Sequence, residues 1–182
     1  MLVAISGTPG TGKTTVSNLL RNKGYSIIDL NKLAVDKGLI TGIDKKRNSK
    51  IMDLEGVEKY ISDCYKNNDI IFIDGHASHL LNIVDYIIIL RCHPKILKNR
   101  LKKEGWVSDK IKENVDAEIL DVILCEAFEI HPENKIFEID TTNASFKSVL
   151  SSIIEIASNN FDLITKYKIG QIDWSEEILD NF

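Results

Sequence analysis

Eight residues near the start of the chain have the types and the spacing that bind phosphate. The segment from Gly7 to Thr14, GTPGTGKT, fits the pattern G-x-x-x-x-G-K-[ST] and lies between an apolar run and a helical stretch. In such a loop the glycines let successive N–H groups point at phosphate oxygens, and the dipole of the following helix adds positive potential. We therefore expect Lys13 to contact the β- and γ-phosphates of a nucleotide, Thr14 to offer its hydroxyl to Mg²⁺, and Thr15 to lie near the α-phosphate.

A second candidate is the carboxylate that ends the apolar run Ile70–Ile73. The carboxyl ends of strands in an open α/β sheet face the ligand crevice, so Asp74 is predicted to face the metal and its waters. A carboxylate at the end of a strand often only forms a turn. The phosphate-binding loop at Gly7–Thr14, called the P-loop below, favours the interpretation of Asp74 as a residue near the metal. His76 either faces the nucleotides or caps a loop, and His79 is predicted to be structural because no third metal ligand accompanies the H-x-x-H spacing.

Other polar residues allow two interpretations each. Arg91 ends an apolar run, where it reaches either a phosphate or a carboxylate partner. Asn114 and Glu118 are spaced i and i+4, which is more typical of a satisfied helix surface than of catalytic groups. Trp106 beside Gly105 is predicted to pack rather than to form a lid hinge contact or an adenine shelf.

The elements that must position these residues alternate along the chain. Apolar runs at Leu2–Ile5, Tyr25–Ile28, Ile70–Ile73, Tyr86–Leu90 and Ile136–Ile139 are nearly continuous, as in parallel strands covered on both faces. Helices are predicted at Lys13–Lys23, Leu30–Lys37, Leu54–Lys66, Lys95–Lys103, Ser108–Ile130 and Phe146–Ala157, with Pro94 in a first turn and Ser108 and Asp109 as a cap. Right-handed crossovers then give an α/β fold, a three-layer doubly wound domain with a five-stranded parallel sheet.

Composition limits the classes of function. The 182 residues, 43% hydrophobic and 27% charged, suit one globular domain. A formal net charge of −4 provides no general field for nucleic acid or anionic membranes. We expect no membrane association and a cytoplasmic location, because no apolar run is long enough for a span or a signal peptide. Cys64, Cys92 and Cys125 are predicted to be buried free thiols.

Two irregular segments narrow the class of P-loop protein. The GTPase signature N-K-x-D does not occur, and the chain is short for a large motor ATPase. Small-molecule kinases place the phosphate acceptor between a clamp after the second strand and a lid after the fourth. Residues 39–52, which are polar and basic, and residues 104–107 (EGWV) fall in those two places, and both are predicted to be moving loops.

Four longer runs resemble the adenylate kinase isoenzyme 6 family in its archaeal form. They are GTPGTGKTT (7–15), IDGHASHLL (73–81), ILRCHPKILKNRLKKEGW (89–106) and SDKIKENVDAEILDVILCEA (108–127). The resemblance implies an adenylate kinase that transfers phosphate from ATP to AMP, with broad nucleotide tolerance and ATPase activity. It also implies a role in maturation of the small ribosomal subunit, with ribosomal protein uS11 and pre-small-subunit rRNA as partners.

The resemblance also implies residue roles. It places the ATP phosphates on Gly10, Gly12, Lys13, Thr14 and Thr15, Arg100 against adenine, and the pair Asp74 and His76 near the metal and the transferring phosphate. It implies a kinase domain over residues 1–160, with a clamp at about 29–52 that binds AMP or another nucleoside monophosphate and a lid at about 103–113. Residues 161–182 form a tail, which we expect to dock and to end in a helical turn.

Two positions depart from the family pattern. Glu104 stands where relatives carry an Arg before the lid glycine, and Val35 stands where many carry an Arg in the clamp helix. Lys102, Lys103 or Lys110 are candidate substitutes in the lid, and Arg47 in the clamp. Slow kinase turnover is the prediction, because cation clamps supply much of the rate of phosphoryl transfer. Two alternatives stay open, an ATP-driven assembly factor with vestigial kinase activity and a kinase for another small metabolite.

Overall fold

The sequence folds into alternating strands and helices. The computed structural model describes residues 1–44, 49–65, 69–162 and 164–181. In chain order the elements are β1 (Leu2–Ser6), α1 (Lys13–Asn22), β2 (Ser26–Asp29), α2 (Leu30–Asp36), β3 (Ile40–Asp44), β4 (Ser49–Met52), α3 (Leu54–Cys64), β5 (Ile71–Asp74), β6 (Tyr86–Arg91), α4 (Pro94–Lys103), α5 (Ser108–Ile119), α6 (Val122–Ile130), β7 (Ile136–Asp140), α7 (Phe146–Ser158) and α8 (Glu176–Asn181).

Five of the strands form one parallel sheet in the order β2-β5-β1-β6-β7. Each of the five predicted strands is found within one residue of its predicted ends, which confirms the predicted fold class. The strands are buried on both faces: α1 and α7 pack on one side of the sheet, and α2, α3 and α6 on the other. Because β1 is central and the chain crosses to β5 on one side and β6 on the other, the carboxyl ends of these three strands define the ligand crevice.

The segment over residues 39–52 differs from its prediction as a loop. Strands β3 and β4 form a separate antiparallel hairpin with an irregularity between Ile40 and Gly42. The alternation in this hairpin is weak, since Ile43 and Ile51 are exposed, so hydrophobic periodicity gave no strand signal. Arg47, the candidate cation of the clamp, lies outside the described residues.

The long helix predicted over Ser108–Ile130 is in fact two helices. Asp121 adopts a left-handed conformation with φ of 52° between α5 and α6. Its carboxylate accepts a hydrogen bond from Arg91, and aspartate tolerates this backbone region better than most residues. Pro94 does open α4 as predicted, whereas the residue at the cap of α5 is Val107 and no side chain caps that helix.

The chain after α7 docks against the edge of the sheet, as predicted. Phe161 is buried and stacks on Tyr86 with ring centroids 4.4 Å apart. Lys168 makes an antiparallel bridge to Phe137 in β7, and Tyr167 is buried beside it. The chain then ends in the short helix α8, so the predicted final helical turn is confirmed.

The cysteines only partly match their prediction. All three are free, but Cys64 and Cys125 are exposed and only Cys92 is buried. Burial raises the pKa of the Cys92 thiol to about 11, which makes it unreactive near neutral pH. Within the described ranges, no helix combines the length and apolar character that crossing a bilayer requires.

Candidate active site

The loop between β1 and α1 curls tightly at the carboxyl edge of the sheet. Gly7 has φ of 140°, and a Cβ there would lie 2.4 Å from the carbonyl oxygen of Leu90. Gly12 has φ of 99°, and a Cβ there would lie 2.4 Å from a ring carbon of Phe146. Glycine is required at both positions, by backbone conformation and by the close approach of neighbours. The loop therefore has the shape that exposes its N–H groups to a phosphate chain.

Lys13 folds back over this loop. Its Nζ donates hydrogen bonds to the carbonyl oxygens of Gly7 at 2.6 Å and Thr8 at 3.0 Å. Burial lowers the pKa of Lys13 from 10.5 to about 8, against the opposing influence of the carboxylates Asp74, Glu118 and Glu104. A desolvated ammonium that donates to carbonyl oxygens gains from an anionic ligand.

Asp74 ends β5 on the other side of the same crevice, as the sequence predicted. Burial raises the pKa of its carboxyl above the ordinary value, and Lys13 partly offsets this. Asp74 and Thr14 line the same cavity. Carboxylate and hydroxyl oxygens are ligands that suit Mg²⁺, which takes few protein ligands and completes its shell with water and phosphate, so the donor set fits this metal.

A cavity of about 540 Å³ opens over the P-loop. It brings together seven of the predicted site residues, which are Gly10, Gly12, Lys13, Thr14, Thr15, Asp74 and His76. The sequence analysis missed Asp29, although it ends β2 as Asp74 ends β5, and that position was the available signal. Glu104 and Trp106 also line the cavity, and Trp106 is 37% exposed, so its prediction as a packing residue is wrong.

A second cavity, of about 380 Å³, adjoins the first. It shares Asn31 and His76 with the phosphate cavity, and its remaining lining is apolar: Val35, Ile40, Met52, Leu54, Ala77 and Leu80. Burial, together with Lys13 and His79, lowers the pKa of His76 below its ordinary value. His76 is therefore a neutral, exposed polar group at the junction of the two cavities near pH 7.

Arg100 lies behind the P-loop. Its guanidinium donates to the carbonyl oxygens of Thr141 at 2.6 Å, Thr142 at 3.2 Å and Gly10 at 3.4 Å. It joins α4, the loop after β7 and the P-loop, and it is not among the residues that line either cavity. Its predicted contact with adenine stays a prediction.

Arg91 and Glu118 form a buried cluster of charges. The guanidinium of Arg91 contacts Glu118, Asp121 and Glu138, which settles the open interpretation of Arg91 in favour of carboxylate partners. Burial lowers the pKa of Arg91, but these carboxylates raise it overall. Glu118 is only 3% exposed, so its prediction as a surface residue is wrong. Helical spacing identified its face but not what covers that face.

His79 is structural, as predicted. Both ring nitrogens have partners, Ser6 Oγ at 2.8 Å and Glu126 at 2.9 Å. Burial lowers its pKa, with the Glu126 carboxylate opposing. Across the described part of the chain, no three His, Cys, Asp or Glu side chains converge as a metal cluster.

Comparisons with known proteins identify the family of the chain. A family model described as an AAA domain matches residues 3–121. A "Putative adenylate kinase" from Methanocaldococcus jannaschii is 42% identical over 99% of this chain and 96% of its own length. Another protein of that name, from Methanosarcina barkeri, is 42% identical over 96% of this chain and 97% of its own length.

Solved structures share the fold at low identity. Shikimate kinase from Bacteroides thetaiotaomicron superposes with a TM-score of 0.59 at 15% identity, covering 87% of this chain and 98% of that chain. Deoxyadenosine kinase from M. mycoides superposes with a TM-score of 0.55 at 18% identity, covering 87% of this chain and 100% of that chain. The chain has a P-loop and a carboxylate that ends β5, and it is similar to these relatives along nearly its whole length. It therefore belongs to the archaeal P-loop family whose members are described as putative adenylate kinases.

Proposed function

We propose that the protein is a nucleoside monophosphate kinase of the adenylate kinase type, which transfers the γ-phosphoryl group of ATP to AMP and releases two ADP. The observation that carries this proposal is the pair of adjoining cavities that meet at Asn31 and His76. One is lined by the P-loop and suits a triphosphate. The other is largely apolar and suits a nucleobase, so the pair has room for a donor and an acceptor nucleotide.

On the donor side, the P-loop amides and Lys13 bind the ATP phosphates. The Nζ of Lys13 exchanges its two carbonyl partners for phosphate oxygens, which are stronger acceptors for an ammonium group. Thr14 and Asp74 would hold Mg²⁺. When bound, this ion neutralises charge on the β- and γ-phosphates.

On the acceptor side, α2 and the hairpin β3–β4 form the proposed clamp. Apolar side chains of Ile40, Met52 and Leu54 face the base of the acceptor. Val35, 48% exposed on the same wall, offers no charge to the acceptor phosphate. The relatives named putative adenylate kinase favour AMP as the acceptor, and the cavity lining is compatible with other nucleoside monophosphates.

The chemistry requires positioning rather than a strong base. The attacking oxygen of AMP is already anionic, so no side chain has to remove a proton. His76 is neutral at the junction of the cavities, where it donates or accepts a hydrogen bond without adding charge. Glu104, Gly105 and Trp106, which lie between α4 and α5, form the proposed lid that excludes water as a competing acceptor.

One observation favours a second candidate, an ATPase that drives assembly of a protein–RNA complex. Glu104 places a carboxylate in the phosphate cavity near Lys13, where it opposes charge neutralisation during transfer. A weak kinase with basal hydrolysis then fits the resemblance to a family linked to ribosomal protein uS11 and small-subunit rRNA. A kinase for another small metabolite is the third candidate, since Val35 offers no charge to the acceptor phosphate, and Lys32 of the same helix lines the phosphate cavity rather than the apolar one.

A coupled assay of ADP formation distinguishes the candidates. Purified protein is given MgATP alone, MgATP with AMP, and MgATP with CMP or UMP, with Lys13→Ala as the control for contaminating kinases. Strong stimulation by AMP that disappears in Lys13→Ala supports the kinase. Unchanged hydrolysis with every monophosphate contradicts the kinase and supports the ATPase. Stimulation by another acceptor alone contradicts the assignment of AMP.

A further inference from the structure

Glu118 is a buried carboxylate with partners on both of its oxygens. Its Oε2 accepts a hydrogen bond from the hydroxyl of Thr8, in the P-loop, at 2.5 Å. Its Oε1 accepts from Arg91 Nε at 2.9 Å, from the backbone N–H of Cys92 at 3.1 Å and from Trp174 Nε1 at 3.3 Å. One oxygen is therefore fixed to the framework and the other to the phosphate loop.

In the nucleotide-free protein, Thr8 passes this constraint on to Thr11 and to the catalytic lysine. Its carbonyl oxygen accepts from Lys13 Nζ at 3.0 Å, from Thr11 Oγ1 at 2.9 Å and from Thr11 N at 3.2 Å. Thr8 and Thr11 are both almost completely buried. Two hydrogen-bonded steps thus connect the carboxylate of Glu118 with the ammonium group of Lys13.

The framework side of this link includes the C-terminal segment, residues 164–181 of the described chain. Besides Trp174, the backbone N–H of Gly170 donates to Glu138 at 2.7 Å, and Glu138 in turn contacts Arg91. The ring of Trp174 also lies 5.1 Å from that of His93, at the start of α4. The segment therefore reaches the charge cluster at two points, through Trp174 and Gly170.

We propose that Glu118 is a positioning residue that ties the C-terminal segment to the P-loop and fixes the loop for ATP. It acts through Thr8 and touches no reacting atom. This inference rests on the proposed function only in that ATP binds at the P-loop, and it is independent of which acceptor is used. It gives the segment after α7 a role in nucleotide binding although that segment lies outside the phosphate cavity.

The link between Glu118 and Thr8 is tested with a matched pair of variants. Thr8→Val removes the hydroxyl at nearly constant shape, and Thr8→Ser keeps it. We expect Thr8→Val to raise the Kd for MgATP about tenfold or more, because a hydrogen bond to a buried carboxylate is lost and the loop moves. Thr8→Ser should stay within about threefold of the wild type. Calorimetric titration with MgATP measures both, and thermal melting without nucleotide reports folding.

Coupling is tested with Glu118→Gln and Trp174→Phe. If Glu118 acts through Thr8, the double variant Thr8→Val/Glu118→Gln should bind MgATP as well as whichever of the two single variants binds it more weakly. Trp174→Phe keeps an aromatic ring and loses the N–H donor. We expect it to raise the Kd for MgATP about threefold, and we expect this increase to disappear in the Glu118→Gln background.

Equal affinities of Thr8→Val and Thr8→Ser, or fully additive effects of Thr8→Val and Glu118→Gln, overturn the inference. The Thr8 pair decides the matter even where Glu118→Gln fails to fold. A wild-type protein that does not bind MgATP contradicts the proposed function instead, so the two failures are distinguishable.

Discussion

Replacing Lys13 by Met should abolish phosphoryl transfer and yet stabilise the nucleotide-free protein. Burial lowers the pKa of Lys13 to about 8, which means that the folded protein holds this charge in an unfavourable environment. The unfolded chain holds the same charge in water, with a pKa of about 10.5. At pH 7 both states are protonated, so the charge destabilises the folded state.

The size of the effect follows from the two pKa values and the two hydrogen bonds. The pKa difference corresponds to about 3 kcal/mol at pH 7. Methionine loses the bonds to Gly7 and Thr8, which contribute about 1 kcal/mol each. The net gain is about 1 kcal/mol, or a melting temperature higher by about 2–4 °C for a chain of this size. Transfer activity should fall by about 10³-fold.

The pH dependence gives the sign independently. The penalty on the wild type is complete below pH 8 and fades as the pH rises from 8 to 10.5, because the folded protein then releases the proton first. The advantage of Lys13→Met should therefore shrink between pH 7 and pH 9.5. Calorimetric melting without nucleotide measures this difference. Lys59 is exposed, so the control variant Lys59→Met should have a stability within about 0.5 kcal/mol of the wild type. A variant that melts clearly below the wild type at pH 7, or a difference that grows with pH, refutes the reasoning.

Three further predictions concern the cavity walls. Gly12→Ala should weaken ATP binding at least tenfold and lower the melting temperature, because its Cβ would lie 2.4 Å from a ring carbon of Phe146. Gly24→Ala is the control, since Gly24 has a similar φ of 93° but lies in open space. It should cost only about 1 kcal/mol of stability and leave ATP binding intact. Equal losses in the two would contradict the packing argument. Glu104→Gln should lower the KM for MgATP about fivefold, since a carboxylate leaves the phosphate cavity, and a higher KM in steady-state assays would count against that placement. Val35→Arg should lower the KM for AMP about tenfold with the KM for ATP unchanged, and an unaltered AMP value would speak against the assigned acceptor cavity.

The five-stranded sheet could be predicted from the sequence because its strands are buried on both faces. Runs such as Ile70–Ile73 and Tyr86–Leu90 are continuously apolar and need no partner to be recognised. The hairpin of β3 and β4 could not be found in this way, because Ile43 and Ile51 are exposed and its apolar residues form no continuous run. The break at Asp121 was also hidden, because its cause is a contact with Arg91, 30 residues away in the chain.

By itself the sequence predicted a phosphate site and the residues that form it. The glycines, Lys13 and Thr14 act within one short segment, and Asp74 follows from the rule that strand ends meet at one edge, so local spacing was sufficient. Only the tertiary structure decided what supports that segment. Glu118 stands 110 residues from Thr8, and helical periodicity shows that a face is available without showing which carboxylate, hydroxyl or indole covers it. Partners at such a separation are fixed by how the layers pack, and that is why the link from the C-terminal segment to the P-loop was visible only in the folded chain.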